Sequence, residues 1–447
     1  MWLMILLAFS VVFIIAATTR LKLHPFLALL AAAFGYGLFC GKMSLEDVVK
    51  SVNFGFGDTV GRIGIVILAG SVIGTFLEKS GGAMNLAQSV LSLVGNKNVS
   101  LAMGIIGYIV GIPVFCDSGF IILSPLSKAL SRKAGVSVAA SAIALSLGLY
   151  ATHTMVPPTP GPIAAAGILK ADLGLVILWG MVVGLVALLA GWLFAVKFAA
   201  KITVEAAPQS ESKDTEDMSN DGPSAIKTVV PILVPIVLIV LKSVGDFPTH
   251  PLGQGMFATI ISFIGQPVVA LLIGVVFAFL LPKKPSRDML SVSGWVGEAV
   301  IPAAAIIVIT ACGGAFGEVL RNSGISDVVS GQTGKGQALS ILLPFVIAAV
   351  LKTAQGSSTV AIITTAGIIA PLLESLGLDS ANARALTVVT IGAGSMVVSH
   401  ANDSYFWVVT GFSGINVRDG YKLQTLGTFV EGIAAAAALW IISLIVL

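Results

Sequence analysis

Apolar runs, repeated along the whole chain and interrupted by short polar or Gly/Pro-rich strings, constrain the fold more than any single motif does. About 20 apolar residues in a helix span the hydrocarbon core of a bilayer. Hydrophobic residues make up 56% of the 447 and charged residues 11%, with a mean hydropathy of +1.00. A water-soluble chain of this composition would lack polar surface, so an all-α polytopic membrane protein is expected. The formal net charge of +3 comes from basic residues beside apolar runs, which argues against nucleic acid as a partner. Cys40, Cys116 and Cys312 lie far apart in apolar or Gly-rich surroundings, so no disulfide framework, metal site or cofactor is expected. Residues 1–19 lack a basic leader and read as a retained first helix rather than a cleaved signal.

In chain order, crossings are expected at 1–19, 25–40, 54–77, 137–152, 173–198, 229–241, 256–281, 295–319, 385–398 and 428–447, with an interfacial stretch at 83–93. Two stretches do not fit a simple crossing. Gln355-Gly356-Ser357-Ser358-Thr359-Val360 is too polar and too small for mid-membrane helix, and Ile112 to Phe120 contains Pro113 and Asp117. Broken backbone at membrane depth survives only where protein or a water-filled cavity satisfies it, and carriers place substrate at such breaks. Both stretches read as tips of re-entrant hairpins, the first bent at 113–119. His153 through Pro162, with four prolines in six residues, reads as extended backbone. Ser399 to Ser404 reads as a further break.

The chain also repeats itself. Gly70, Gly74, Ser80 and Gly81 lie over Gly313, Gly317, Ser323 and Gly324 at an offset of 243 residues, and Ser118 lies over Ser358 at an offset of 240. Residues 1–50 are then N-terminal scaffold helices and 51–200 a first repeat with its hairpin near 113–120. Residues 201–227 form a polar linker, 228–291 further scaffold helices, and 292–447 a second repeat with its hairpin near 353–360. The linker holds six of the 22 acidic residues and reads as a solvated connection. Placing Arg20/Lys22, Lys128/Arg132/Lys133, Lys197/Lys201 and Lys283/Lys284/Arg287 on the cytoplasmic side puts the N-terminus in the periplasm and the linker in the cytoplasm. On that count the two repeats have opposite orientations, as in many secondary carriers.

A charge at the centre of a membrane helix costs roughly 2.5–3.5 kcal/mol on insertion scales, so each one needs a reason. Asp117 and Asp403 are the most deeply embedded carboxylates, and His153 and His400 sit at helix breaks. These four are the candidates for proton coupling, and Asp117, His153 and His400 are also expected to bind the substrate. Free N–H groups at Ser118-Gly119 and Ser357-Ser358-Thr359 would face a small organic anion. Gln355, Gly356, Thr159 and Asn402 would line the same site. Lys352 either supplies complementary charge or snorkels to the interface. Asp58 and Arg62, four apart, read as an ion pair.

At these residues the chain resembles the gluconate permease family over nearly its whole length. The resemblance rests on Leu23-His24-Pro25-Phe26, Glu78 to Ala83, Gly111 to Asp117, His153 to Pro162, Gln355 to Ala361, and Ser399 to Asp403 with Phe406-Trp407. It departs at Cys116, where a bulkier residue is usual, and at a Gly-Ser-Ser-Thr tip in place of Gly-Ser-Ala-Thr. The resemblance implies the ion transporter superfamily fold, with two inverted repeats, re-entrant hairpins, dimers and elevator motion. It implies a proton-coupled symporter, not an enzyme, for gluconate or a related hydroxy acid in the bacterial inner membrane. Alternatives are sodium coupling and a D-serine or glycerate substrate. A remote alternative is an intramembrane aspartyl protease, from Gly55-Phe56-Gly57-Asp58, but the Tyr-Asp pair that family needs is missing.

Overall fold

The computed structural model describes residues 2–94, 98–202, 222–246, 251–253, 255–325, 328 and 340–447. Residues 203–221 of the expected linker lie outside the described residues. Those described form helices and connecting turns, with no strand among them.

The first half contains α1 (Trp2–Thr19), α2 (Pro25–Phe39), α3 (Leu45–Lys79), α4 (Gly82–Val94), α5 (Val99–Val110), α6 (Cys116–Ala134), α7 (Val138–Met155), α8 (Pro160–Leu169) and α9 (Leu173–Lys197). The second contains α10 (Ala225–Gly245), α11 (Met256–Ile264), α12 (Pro267–Ala278), α13 (Trp295–Asn322), α14 (Leu342–Gln355), α15 (Ser358–Ile369), α16 (Ala381–Met396), α17 (Ser404–Ser413) and α18 (Leu426–Val446). Among the described residues, six helical stretches are long and apolar enough to cross a membrane, or seven if α11 and α12 are one bent span.

Local signals set the boundaries. Ser44 and Asp47 form a capping box that starts α3 nine residues before the expected crossing, so the expected domain boundary between 50 and 51 falls inside this helix. The two Ser-Gly strings of the sequence repeat end two helices alike. Ser80 and Ser323 cap α3 and α13, and Gly81 and Gly324 follow with φ of 74° and 73°. These long helices run antiparallel. Ser51 near the start of α3 accepts from Asn322 at the end of α13 (2.9 Å), Ser71 donates to the Ala299 carbonyl (2.8 Å), and Lys79 pairs with Glu298.

Three expectations need correction. Residues 256–281 are not one straight crossing: α11 and α12 meet at 69°. Pro267 has no N–H and disfavours helical geometry at Gln266, so the helix restarts there. Residues 153–162 are not extended throughout. Helix α7 continues through His153 to Met155, and α8 begins at Pro160, because prolines in a first helical turn remove no intrahelical hydrogen bond. Only 156–159 leave the helix. The first hairpin turns at 111–115, so Asp117, Ser118 and Gly119 lie in the first turn of α6 rather than in the bend.

Burial separates two kinds of helix. Residues 139–155 of α7, 360–369 of α15 and 385–396 of α16 are buried on every side, as expected for helices apolar all round at the centre of a membrane protein. By contrast, α9, α11 and α18 leave Leu185, Leu189, Phe257, Phe263, Leu444 and Ile445 exposed. The interior is thus made by α7, α15 and α16, the central members of the hairpins and broken crossings, while α14 and α17 also leave Val346, Val350 and Trp407 exposed.

Candidate functional site

Four half-helix N-termini meet in two pairs at the centre. The start of α15 abuts the start of α8: a Cβ on Gly161 would lie 2.8 Å from Ile362 Cδ1 and 4.0 Å from Thr359 Cα. The start of α6 faces the start of α17: Asp117 reaches Ser404, and the ring of Phe120 lies edge-on to Tyr405 with centroids 6.2 Å apart. Helix N-termini concentrate unpaired N–H groups and the positive end of the dipole. Ser357 caps α15 through the Val360 N–H (3.3 Å), and Asp403 caps α17 through the Tyr405 N–H (3.1 Å). No side chain caps α6 or α8. At Thr159, the residue before α8, the hydroxyl instead donates to the Val156 carbonyl (2.6 Å).

A buried ion pair lies among these ends. Lys352, in the last turn of α14, is fully buried; its Nζ is 2.6 Å from Asp403 Oδ2 and also donates to the Gly356 carbonyl. That burial excludes the snorkelling alternative. The same Asp403 oxygen accepts from the Ser399 hydroxyl (2.5 Å) and the Tyr150 hydroxyl (3.4 Å). The Lys352 ammonium lies 5.5 Å from the centroid of the Tyr150 ring, and Tyr150 also meets Ser358. Asp117 is half-buried within electrostatic range of both Asp403 and Lys352, and its Oδ1 has no hydrogen-bond partner among the described residues. The Gln355 amide is likewise unpartnered at both ends.

Gly356 makes the turn between α14 and α15. Its φ of 82° is in the left-handed region, and a Cβ there would collide with the Asn402 carbonyl. The break after α16 is fastened to this turn. Asn402 donates to the carbonyls of Thr353 (2.9 Å) and Ala354 (3.1 Å), and His400 Nε2 is 2.9 Å from the Thr353 carbonyl.

The structure thus gathers Asp117, Lys352, Gln355, Gly356, Ser358 and Asp403 around one point, with His400 and Asn402 fastened to its rim. His153 is buried in α7 with its ring 5.8 Å from that of Phe115, and its Nδ1 has no partner among the described residues. Gly119 is corrected as an anion donor: its N–H is spent on the Phe115 carbonyl (2.8 Å), because α6 has already begun at Cys116. The free N–H groups of that turn belong to residues 116–118. Asp58 and Arg62 form the expected pair at 2.9 Å, away from the centre. Sequence reasoning missed Tyr150, an unremarkable aromatic in an apolar run, and Glu431. Glu431 is fully buried in α18, and neither carboxyl oxygen has a partner among the described residues; a lone acid inside residues 428–447 was the available signal.

The family profile described as GntP family permease matches residues 2–445. A gluconate permease of Pseudomonas aeruginosa is 35% identical over 440 residues, covering 98% of this chain and 96% of the relative. The D-serine transporter DsdX of Escherichia coli is 31% identical over 447 residues, covering 100% and 99%. Among solved structures, the YdaH transporter of Alcanivorax borkumensis aligns with a TM-score of 0.67 over 93% of this chain and 97% of its own, at 14% identity. MtrF of Neisseria gonorrhoeae gives 0.67 over 96% of each chain at 16% identity. At such identities these two likenesses speak for the fold alone. The sequence relatives and the family profile carry the identity: the chain belongs to the GntP family of permeases and is a multi-pass membrane transporter.

Proposed function

We propose that the chain is a secondary active transporter that carries a small hydroxy-monocarboxylate, gluconate or a related sugar acid, with protons across the bacterial inner membrane. The observation that carries this reading is the buried Lys352–Asp403 pair among four half-helix N-termini. Positive helix ends and an ammonium suit a carboxylate, but in this state Asp403 already occupies the ammonium. Charge balance then explains a coupled proton. Lys⁺ with Asp⁻ is neutral, and adding only the substrate anion would leave one negative charge buried. Adding a proton to Asp403 as well restores neutrality and frees Lys352 to hold the substrate carboxylate.

Ser118, Ser357, Ser358, Thr359 and Thr159, with the unpartnered Gln355 amide, supply donors for the substrate and its hydroxyls. Asp117, His153 and His400 are further sites where the coupling proton can reside. The antiparallel course of α3 and α13, the two helices that carry the sequence repeat, supports inverted halves. The N-terminus is then periplasmic and residues 201–227 cytoplasmic, and the family resemblance further implies a homodimer.

A second reading has its own observation. A fixed pair of opposite charges also complements a zwitterion, and a D-serine transporter is among the relatives. D-serine would bridge Lys352 and Asp403 without an added proton.

Purified protein in proteoliposomes tests the proposal. With an inward proton gradient in sodium-free medium, gluconate should accumulate while the external medium turns alkaline. Accumulation that requires sodium, or gluconate that neither enters nor competes with D-serine, would refute it.

A further inference from the structure

Glu431 is 0% exposed, and neither carboxyl oxygen has a hydrogen-bond partner among the described residues. It lies about 7.5 Å along α18 from the helix start, by helical rise. The surfaces around it belong to the interior elements. The next residue, Gly432, packs on the end of α16: a Cβ there would meet Val397 and lie 3.2 Å from the Ala393 carbonyl. Nearly one turn earlier, Thr428 accepts the Ser399 N–H (3.0 Å), and the Ser399 hydroxyl bonds Asp403 (2.5 Å). Glu431 therefore sits on the seam where α18 borders the broken crossing that carries Asp403, and one turn earlier on its own face Gly427 packs on Leu147 of α7 and Phe194 of α9.

Among the described residues, the groups facing it offer no countercharge. The Tyr405 hydroxyl is within electrostatic reach and donates to the Ser146 carbonyl (3.0 Å). On α14, Lys352 is held by Asp403. On α16, Arg384 is bonded to the carbonyls of Asp379 and Leu169. On α7, Tyr150 points at Asp403 and His153 packs on Phe115. At the end of α9, Lys197 is exposed, and in the turn before α18, Lys422 pairs with Asp419. A carboxylate left alone in so dry a place is strongly disfavoured, whereas the neutral acid is tolerated. Once the seam parts and water enters, the charged form becomes accessible.

We propose that Glu431 is a second proton-binding site of the transport cycle, neutral while α18 is packed on α16 and ionised when water reaches that seam. This rests on the proton-coupled reading above. One proton binds with the substrate at the Lys352–Asp403 pair, and another binds the Glu431 carboxylate to give the acid and leaves it again on the other side. With one substrate anion and two protons, a cycle moves one net positive charge inward.

Proton-to-gluconate stoichiometry, measured from reversal potentials in proteoliposomes, tests this. Wild-type uptake should be electrogenic, with two protons per gluconate. In E431Q, whose amide mimics the neutral acid, uptake should persist but be electroneutral, with one proton per gluconate. E431D keeps a titratable group and should keep the wild-type ratio. An unchanged ratio in E431Q overturns the Glu431 site and leaves the symport reading standing, whereas a wild-type protein that moves no protons overturns both. Should E431Q not fold, infrared difference spectra of the wild type with and without gluconate give an independent readout. A gluconate-dependent protonated-carboxyl band that shifts in E431D supports the site, and a spectrum without such a band overturns it.

Discussion

Asp403→Asn removes one charge from the centre and one acceptor oxygen. Asparagine keeps an oxygen for the Tyr405 N–H, now 3.1 Å from Oδ1, while its NH2 takes the place of Oδ2, so the Ser399 hydroxyl, now donating at 2.5 Å, has to turn and accept. What disappears is the 2.6 Å pairing with Lys352, whose two side chains are 0% and 6% exposed. Removing one partner of a buried pair costs about 3–5 kcal/mol, because the other charge is left uncompensated. The empty D403N protein should therefore melt at a lower temperature than wild type. Gluconate should reverse that loss by bringing its own carboxylate to the uncompensated Lys352. If binding recovers the lower figure of about 3 kcal/mol, affinity rises about 100-fold, since 1.4 kcal/mol is about tenfold.

The pH dependence should change as well. Wild-type binding takes up a proton, so its affinity should weaken by about tenfold per unit of rising pH wherever Asp403 is ionised in the empty protein and protonated in the loaded one. D403N has no proton to take up at that position, and its affinity should be flat. Calorimetric titration of gluconate into protein in nanodiscs, across neutral to alkaline pH, measures both quantities. In vesicles the variant should exchange gluconate yet fail to concentrate it against a gradient. Weaker binding by D403N, with the wild-type pH slope intact, would refute Lys352 as the anion receptor and Asp403 as its proton-controlled competitor.

Two further substitutions probe the tip that presents Lys352. Gly356→Ala places a Cβ in the left-handed region, at roughly 1–2 kcal/mol, and drives it into the Asn402 carbonyl; thermal unfolding should show a clear loss of stability together with loss of gluconate binding, and a variant with wild-type melting and binding would contradict the close approach. Ser357→Ala removes the cap of α15, at about 1 kcal/mol of stability, together with one proposed substrate donor, so it should melt closer to wild type than Gly356→Ala while still weakening gluconate binding, and unchanged binding would remove Ser357 from the donor set.

Much of this architecture was legible because each main signal was local. The Gln355–Val360 string announces a break through its glycine and hydroxyls, and a helix end is seen at Gly356. What escaped was decided by neighbours distant in sequence. Lys352 and Asp403 are 51 residues apart, and nothing local says that the two meet rather than each finding water. The bend between α11 and α12 was hidden because both arms are uniformly apolar, leaving only Pro267 to betray it. Pro160 and Pro162 misled in the opposite direction, since prolines that break a helix interior are harmless in a first turn. Glu431 was overlooked because a single acid hardly alters the hydropathy of a long apolar run, although its insertion penalty marks it out.

The tether from Asn402 and His400 to the end of α14 restricts how the centre can open. Last-turn carbonyls of a helix have no partner of their own, and here those of Thr353 and Ala354 are served by residues from another crossing. Lifting the second hairpin by itself would break all of these bonds at once. Tip and crossing are therefore fastened into a single travelling block, and the hinge that admits solvent has to lie along its outer edges.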